Sequence, residues 1–289
     1  MMTGKMRLIG VAAALMIAQT AWGQAEGEAE APGMTGGEGL RFELTPGVWF
    51  ARLGGDVKLG PSGQAGSIQL KAQLDLRDSK AVFQPDLTVR KEDRWHLRAS
   101  GFKFSTDAAG AFEGRSDFGS LSLANGDRYR ASVDMWSLAA EWGAELVRPI
   151  KWSGNEQANR GTKLSFSPKV GVRHVDVDQD LEMPGVGRVD TGGEWTAVYG
   201  GLEMRLRWQE PDALPIGHAF ELEAGGGIGP AFGGDGGFVW QVRVNATLEI
   251  TPNVGVTFGY RLVELQVEDG EYEFNAGLQG LFAGAAIRF

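Results

Sequence analysis

From Leu40 onward the chain alternates apolar and polar side chains in segments of about ten residues or more, the period-two pattern of strands with one apolar and one polar face. In residues 162–173, Leu164, Phe166, Val170 and Val172 share one face, while Lys163, Ser165, Ser167, Lys169 and Arg173 share the other. Residues 202–209 set Leu202, Met204, Leu206 and Trp208 against Glu203, Arg205, Arg207 and Gln209. Residues 238–250 set Phe238, Trp240, Val242, Val244, Ala246, Leu248 and Ile250 against Gln241, Arg243, Asn245, Thr247 and Glu249. No helix of ordinary length can be written through these segments, and no apolar run approaches the roughly 20 residues of a membrane-spanning helix. The pattern predicts an all-β chain.

A soluble sandwich alternates too, with its apolar face against a second sheet. Two ends of the chain decide between the alternatives. Residues 254–289 form two alternating stretches around Asp269-Gly270 and stop on an aromatic residue, Phe289. At the other end, Lys5 and Arg7 precede an apolar core from Leu8 to Ala18 and a small-x-small site at Ala21-Trp22-Gly23, the three parts of a secretory leader. Residues 1–23 are therefore expected to be a cleaved signal peptide, with cleavage after Ala25 as an alternative. Residues 24–39, acidic and glycine-rich, are expected to be a disordered lead-in. Residues 40–289 are expected to form an antiparallel up-and-down transmembrane β-barrel in an outer membrane, with a periplasmic amino-terminus.

Turn lengths give the strand count, because such barrels pair short periplasmic turns with longer outer loops. With Phe289 at the periplasmic rim, the tight turn Thr251-Pro252-Asn253 is periplasmic as well. Counting back gives outer loops at 229–237, 177–193 and 106–125, and inner connections at 210–217, 148–160 and 91–93. The first strand runs near 40–59 and returns through 82–90. That makes about ten strands, with eight and twelve as alternatives; residues 67–76 are either an extension of the wall or a short extra strand. Trp136, Trp142, Trp208, Trp240 and Tyr260 are candidates for the aromatic girdles.

Composition agrees with this reading. The chain has 44 glycines, 11 prolines, nine tryptophans, 15 phenylalanines and no cysteine, which excludes disulfides and thiolate metal sites. Its net charge of −9 offers no basic surface for nucleic acid.

The closing residues 257–289, together with 170–181 and 44–60, resemble the small outer-membrane barrel proteins of the OmpA-like, OmpW-like and OmpX-like group, the last hairpin most specifically. The resemblance implies that Phe289, Ile287 and Leu281, with Ala285 and Ala283, are read by the barrel-assembly machinery. Periplasmic chaperones, outer-membrane lipid and lipopolysaccharide are the partners it implies.

The inward faces carry Glu141, Glu145, Lys169, Arg173, Glu203, Arg205, Arg207, Glu221, Glu223, Arg243, Glu249, Arg261 and Arg288. A barrel of eight to ten strands leaves an interior about wide enough for side chains to fill, and buried charges of mixed sign pair. The expected function is structural or surface-interacting, with a lumen largely filled by paired charges. A narrow pore for ions or small solutes is the alternative, and a surface hydrolase a remote one. No cofactor is expected, nor enzymatic activity. Of the three histidines, His96 and His218 fall near the inner rim. His174 shares a face with Asp176, Asp178 and Asp180, a candidate cation site through oxygen ligands, although that face reads more simply as the solvated base of an outer loop.

Overall fold

A computed structural model describes residues 39–60, 66–91, 94–148, 162–208 and 219–289. The leader, nearly all of the lead-in, His218 and most of the three inner connections at 91–93, 148–160 and 210–217 lie outside the described residues. The strands are, in order, β1 (Leu40–Thr45), β2 (Gly47–Leu59), β3 (Ile68–Gln69), β4 (Lys80–Phe83), β5 (Asp86–Lys91), β6 (Trp95–Ala111), β7 (Ser116–Phe118), β8 (Leu121–Leu123), β9 (Arg128–Ala144), β10 (Leu146–Arg148), β11 (Thr162–Met183), β12 (Gly187–Trp208), β13 (Ala219–Phe232), β14 (Gly236–Glu249), β15 (Val254–Asp269) and β16 (Tyr272–Arg288).

These strands build a closed antiparallel barrel of ten staves. β1 and β2 make one stave, interrupted at Pro46, and β4 and β5 another, interrupted at Gln84-Pro85. Proline lacks the amide donor that a ladder needs, so both breaks fall where the chain cannot keep pairing on each side. Closure is made by β16, which pairs with β2 from Gly284↔Gly47 to Tyr272↔Leu59 and with β1 at Arg288↔Glu43. The last residue completes the seam, since Phe289 and Phe42 exchange backbone hydrogen bonds at 3.0 and 3.3 Å. The rim that holds Leu40, Phe289 and the 251–253 turn is called the lower rim below. That turn is tight, with Thr251 Oγ1 accepting from the Val254 amide at 3.0 Å and Asn253 Nδ2 donating to the Arg288 carbonyl at 3.0 Å.

The opposite, upper end departs from the sequence expectation. The segment 177–193 is not an outer loop: β11 and β12 stay in register from Thr162↔Trp208 to Met183↔Gly187 and turn over only residues 184–186. Likewise β6 continues to Ala111, and β13 and β14 continue to Phe232 and from Gly236. Residues 67–76 contribute only the two-residue β3, which pairs Asp56 and Val57 of β2, before folding inward.

The reason is a reversal of both faces partway up the wall. Along β11 the outward side chains Leu164, Phe166, Val170 and Val172 give way to His174, Asp176, Asp178, Asp180 and Glu182, while the inward Lys163, Ser165, Ser167, Lys169 and Arg173 give way to Val175, Val177, Leu181 and Met183. β15 reverses between Arg261 and Val263 on its inner face and between Leu262 and Glu264 on its outer face. β9 does so between Ser137 and Met135, and between Trp136 and Asp134.

On these staves the barrel is apolar outside and polar inside below the reversal, and polar outside and apolar inside above it; on β13 and β14 the outward face stays apolar through the exposed Phe232 and Phe238. The outward apolar run Leu164–Val172 spans nine residues, which is roughly 30 Å of strand, or about 23 Å of height after tilt, close to the ~25 Å apolar band of a membrane barrel. A belt of exposed Phe42, Phe50, Phe83, Val170, Leu202, Ile228, Phe258 and Leu281 continues around the wall.

The upper interior is a packed hydrophobic core. Leu53, Val57, Phe102, Phe104, Val133, Val177, Trp195, Leu265 and Phe274 are fully or almost fully buried. The chain stoppers this core from above: Ile68, Leu70, Leu74 and Leu76 enter from the β2–β4 connection, and Phe112, Phe118, Leu121 and Leu123 from the β6–β9 connection, which carries the β7–β8 hairpin. Trp49 and Phe102 meet edge to face at 5.3 Å near the base of the core. Each such side chain contributes about 1.5–3 kcal/mol by burial, which holds the extension together in water.

Candidate functional site

Below the hydrophobic core the lumen is crossed by a layer of ionised side chains, each delivered by the inward positions of a different stave. Glu141 on β9 accepts from Lys169 Nζ of β11 at 3.2 Å, Tyr199 Oη of β12 at 2.9 Å, Gln241 Nε2 of β14 at 2.6 Å and Arg243 Nη2 at 3.4 Å. One tier lower, Arg98 of β6 reaches Glu203 at 3.0 Å, Glu223 at 2.7 Å and Thr88 at 3.3 Å. Arg243 bridges Glu223 and Glu203 at 3.1 and 3.2 Å, and Arg90 joins Glu223 at 3.3 Å. Nearer the lower rim, Arg205 meets Glu145 at 2.7 Å and Arg207 meets Glu249 at 3.0 Å, while Arg288 joins Glu43 and Glu249. Glu221 lies 4.0 Å from Arg90. Arg261 forms a fork on Asp86 at 2.6 and 3.3 Å and stacks on the Phe282 ring at 3.4 Å, tying the ionic layer to the apolar core.

The structure thus brings the inward charges named from the sequence into one lumen, and all but Arg173 are ion-paired; Arg173 donates to Ser137 and Gln241. It adds others that sequence reading passed over, Glu43, Asp86, Arg90 and Arg98, and buries among them His96, which the sequence placed near the inner rim. Their signal was present, since Asp86, Thr88 and Arg90 alternate with Leu87 and Val89, and His96 and Arg98 alternate with Leu97 and Ala99. The paired charges fill only the lower part of the lumen, however; its upper part is the hydrophobic core.

Two glycines make room in this layer. A Cβ at Gly143 would overlap the His96 ring, and one at Gly171 would overlap Tyr199. His96 is fully buried, with ring nitrogens 3.6 Å from Glu145 and 3.7 Å from Glu203 and no hydrogen bond to either. Among the described residues the ionic layer holds cavities of about 20 Å³, one against Lys169 and Arg173 and another against Asp86 and Glu223, each with room for about one water.

The exterior candidate site does not converge. His174 Nδ1 lies 3.1 Å from Thr196 Oγ1, and its ring packs at 4.9 Å on Trp136. Asp176 accepts from Trp136 Nε1 at 2.6 Å, and Asp180 is bridged by Arg188 at 2.5 Å. Among the described residues no group of three or more His, Asp or Glu side chains is arranged to hold a metal ion. Period two spreads Asp176, Asp178 and Asp180 along one strand instead of folding them around a point. The assembly-signal residues Leu281, Ala283, Ala285, Ile287 and Phe289 share the outward face of β16, with Leu281 and Phe289 exposed.

No family model matches the chain, and no curated protein matches it. Among solved structures it is similar to Neisserial surface protein A (12% identity, 87% of this chain and 100% of that one, TM-score 0.31). It is also similar to Ail, the attachment invasion locus protein of Yersinia pestis, in complex with a heparin analogue (10% identity, 86% and 99%, TM-score 0.33). A third is the outer membrane protease OmpT from Escherichia coli (10% identity, 86% and 96%, TM-score 0.38). Likeness at this level carries no activity over to this chain, whose barrel stands on its own strand pairing.

Proposed function

We propose that the chain spans an outer membrane as a closed, non-conducting barrel and acts through the outer surface of its extension, in a structural or surface-interaction role. In this reading the lower rim is periplasmic, the apolar belt lies in lipid, and the β11–β12 hairpin stands in the medium outside, with lipopolysaccharide around its base. Export through a cleaved leader and insertion by the barrel-assembly machinery through the Phe289 face belong to the same proposal.

The observation that carries the reading is the double closure of the lumen, by an ionic layer at belt height and a hydrophobic core above it. A water-filled passage needs a continuous polar path, and the side chains of Phe104, Val177, Leu265 and Phe274 occupy the place where one would leave. Closure leaves the outside as the surface on which the protein can act. There Asp134, Asp176, Asp178, Asp190 and Glu194 stand beside Arg128, Arg130 and Arg188, a mixed and mainly acidic face.

The chain has no cysteine, so single thiols report placement cleanly. In intact cells a membrane-impermeant maleimide should label E194C and leave N253C unlabelled until the outer membrane is broken. Labelling of N253C alone would reverse the orientation and overturn the proposal.

A further inference from the structure

We propose that the cavity between Lys169 and Arg173 in the ionic layer is a binding site for one monatomic, monovalent anion, with chloride the natural occupant. The cavity is lined by Lys169, Arg173, Arg243 and Arg261 with a single carboxylate, Glu141, and by Gln84, Ser100, Gln241 and Trp49 among its neutral groups. Most of that positive charge is already answered. Arg261 is held by Asp86, and Arg243 is shared by Glu141, Glu203 and Glu223.

Arg173 is the exception. Its guanidinium donates to Ser137 Oγ at 2.9 Å and Gln241 Oε1 at 2.6 Å, both neutral, and among the described residues no carboxylate lies within 4.0 Å of it. The residue is 5% exposed. Glu141, the nearest counter-charge in the lining, is already paired with Lys169 and Arg243 and hydrogen-bonded by Tyr199 and Gln241. A buried guanidinium whose direct partners are all neutral is costly, because its lost hydration is replaced mainly by dipoles, with Glu141 acting on it only from beyond Gln241.

The unused hydrogen-bonding capacity is also donor-heavy. Among the described residues Arg173 Nε and Arg261 Nε have no acceptor, against one lining acceptor without a donor, Gln84 Oε1, and Lys169 spends one hydrogen bond on Glu141 out of the three that an ammonium can donate. An occupant that only accepts and carries one negative charge answers both deficits; a water answers one. The volume of about 20 Å³ suits an occupant of one heavy atom better than phosphate or sulfate. The inference concerns the lumen and does not depend on which face of the membrane the extension occupies.

Bromide, which scatters anomalously and replaces chloride, is the probe. Crystals of the folded wild-type protein grown in sodium bromide should show one anomalous peak within hydrogen-bond reach of Lys169 and Arg173. Water density without an anomalous signal there, or peaks confined to the protein surface, would overturn the proposal whatever any variant does. In solution, replacing gluconate with chloride at constant ionic strength should raise the wild-type unfolding midpoint saturably. Arg173→Met should abolish that dependence, and Lys169→Met should weaken it. A chloride dependence equal in wild type and both variants would contradict the assignment.

Discussion

Truncation of Phe104 to alanine distinguishes a dry hydrophobic core above the membrane from a water-lined vestibule. The Phe104 ring is fully buried on the inner face of β6, two residues above Phe102, which packs on Trp49. In a dry core, removing a phenyl ring forfeits its burial and leaves a cavity that the stiff barrel wall cannot collapse to fill, a cost of about 3–5 kcal/mol. In a wet vestibule the ring would sit against water, and truncation would change stability by no more than ~0.5 kcal/mol. Urea titration of the protein folded in lipid vesicles, followed by tryptophan fluorescence and by heat-modifiable gel mobility, measures the difference. The outward neighbour supplies the control: Lys103→Ala, exposed on the same strand, should stay within about 0.5 kcal/mol of wild type. A Phe104→Ala midpoint indistinguishable from that of Lys103→Ala would refute the hydrophobic core and, with it, the upper closure of the lumen.

Three further outcomes follow from the same geometry. Arg98→Met takes one guanidinium from Glu203 and Glu223, leaving them to Arg243 and Arg90, and should cost up to about 3–5 kcal/mol in the same assay, and adding Glu223→Leu should recover part of that loss, since replacing a buried pair is milder than breaking it. A failure of the second change to recover anything would argue against the pairing of Arg98 with Glu223. On the outer face, Leu202→Arg on β12, paired with Pro168 at the middle of the belt, should destabilise by up to about 2–4 kcal/mol in vesicles while Asp178→Arg costs no more than ~1 kcal/mol, and equal costs would dissolve the boundary between belt and extension. At the top of β16, burial and, to a lesser degree, the Asp178 charge push the Tyr272 hydroxyl well above the usual tyrosine range. Its contribution to stability is therefore complete below the unfolded value of about 10 and is lost as pH rises beyond it. Tyr272→Phe should lose less stability than wild type between about pH 9 and 12, and parallel losses would remove Tyr272 as the cause.

Much of the wall was legible because a strand with two unlike faces announces its register at every second residue. Ten staves, the 251–253 turn and the inward set from Glu141 to Arg288 all follow from that parity. The upper half was misread for the same reason. Period two is equally present in a strand that is greasy outside and in one that is greasy inside, so the alternation of Val175, Val177 and Leu181 with Asp176, Asp178 and Asp180 passed for a loop base. Parity persists through residue 173 while the chemistry of each parity class swaps, and that phase reversal was readable in β11, β9 and β15 had both faces been followed beyond the belt. The stopper could not be read in this way: Leu70, Leu74 and Leu76 lie on a connection without regular period, and they are buried where β4, starting only at Lys80, leaves the upper part of β2 with just the two-residue β3 on the side away from β16. The candidate cation site does not converge, because carboxylates two residues apart on one strand stand side by side, and Asp176 and Asp180 are held separately by Trp136 and Arg188.

Single-channel current across a planar bilayer tests the double closure most directly. Folded wild-type protein, its insertion verified by heat-modifiable mobility, should give no discrete conductance steps at any voltage the bilayer withstands. Reproducible steps from correctly folded protein, with a reversal potential shifted by Arg205→Glu and Arg207→Glu, would contradict a sealed lumen and make the ionic layer the lining of a pore.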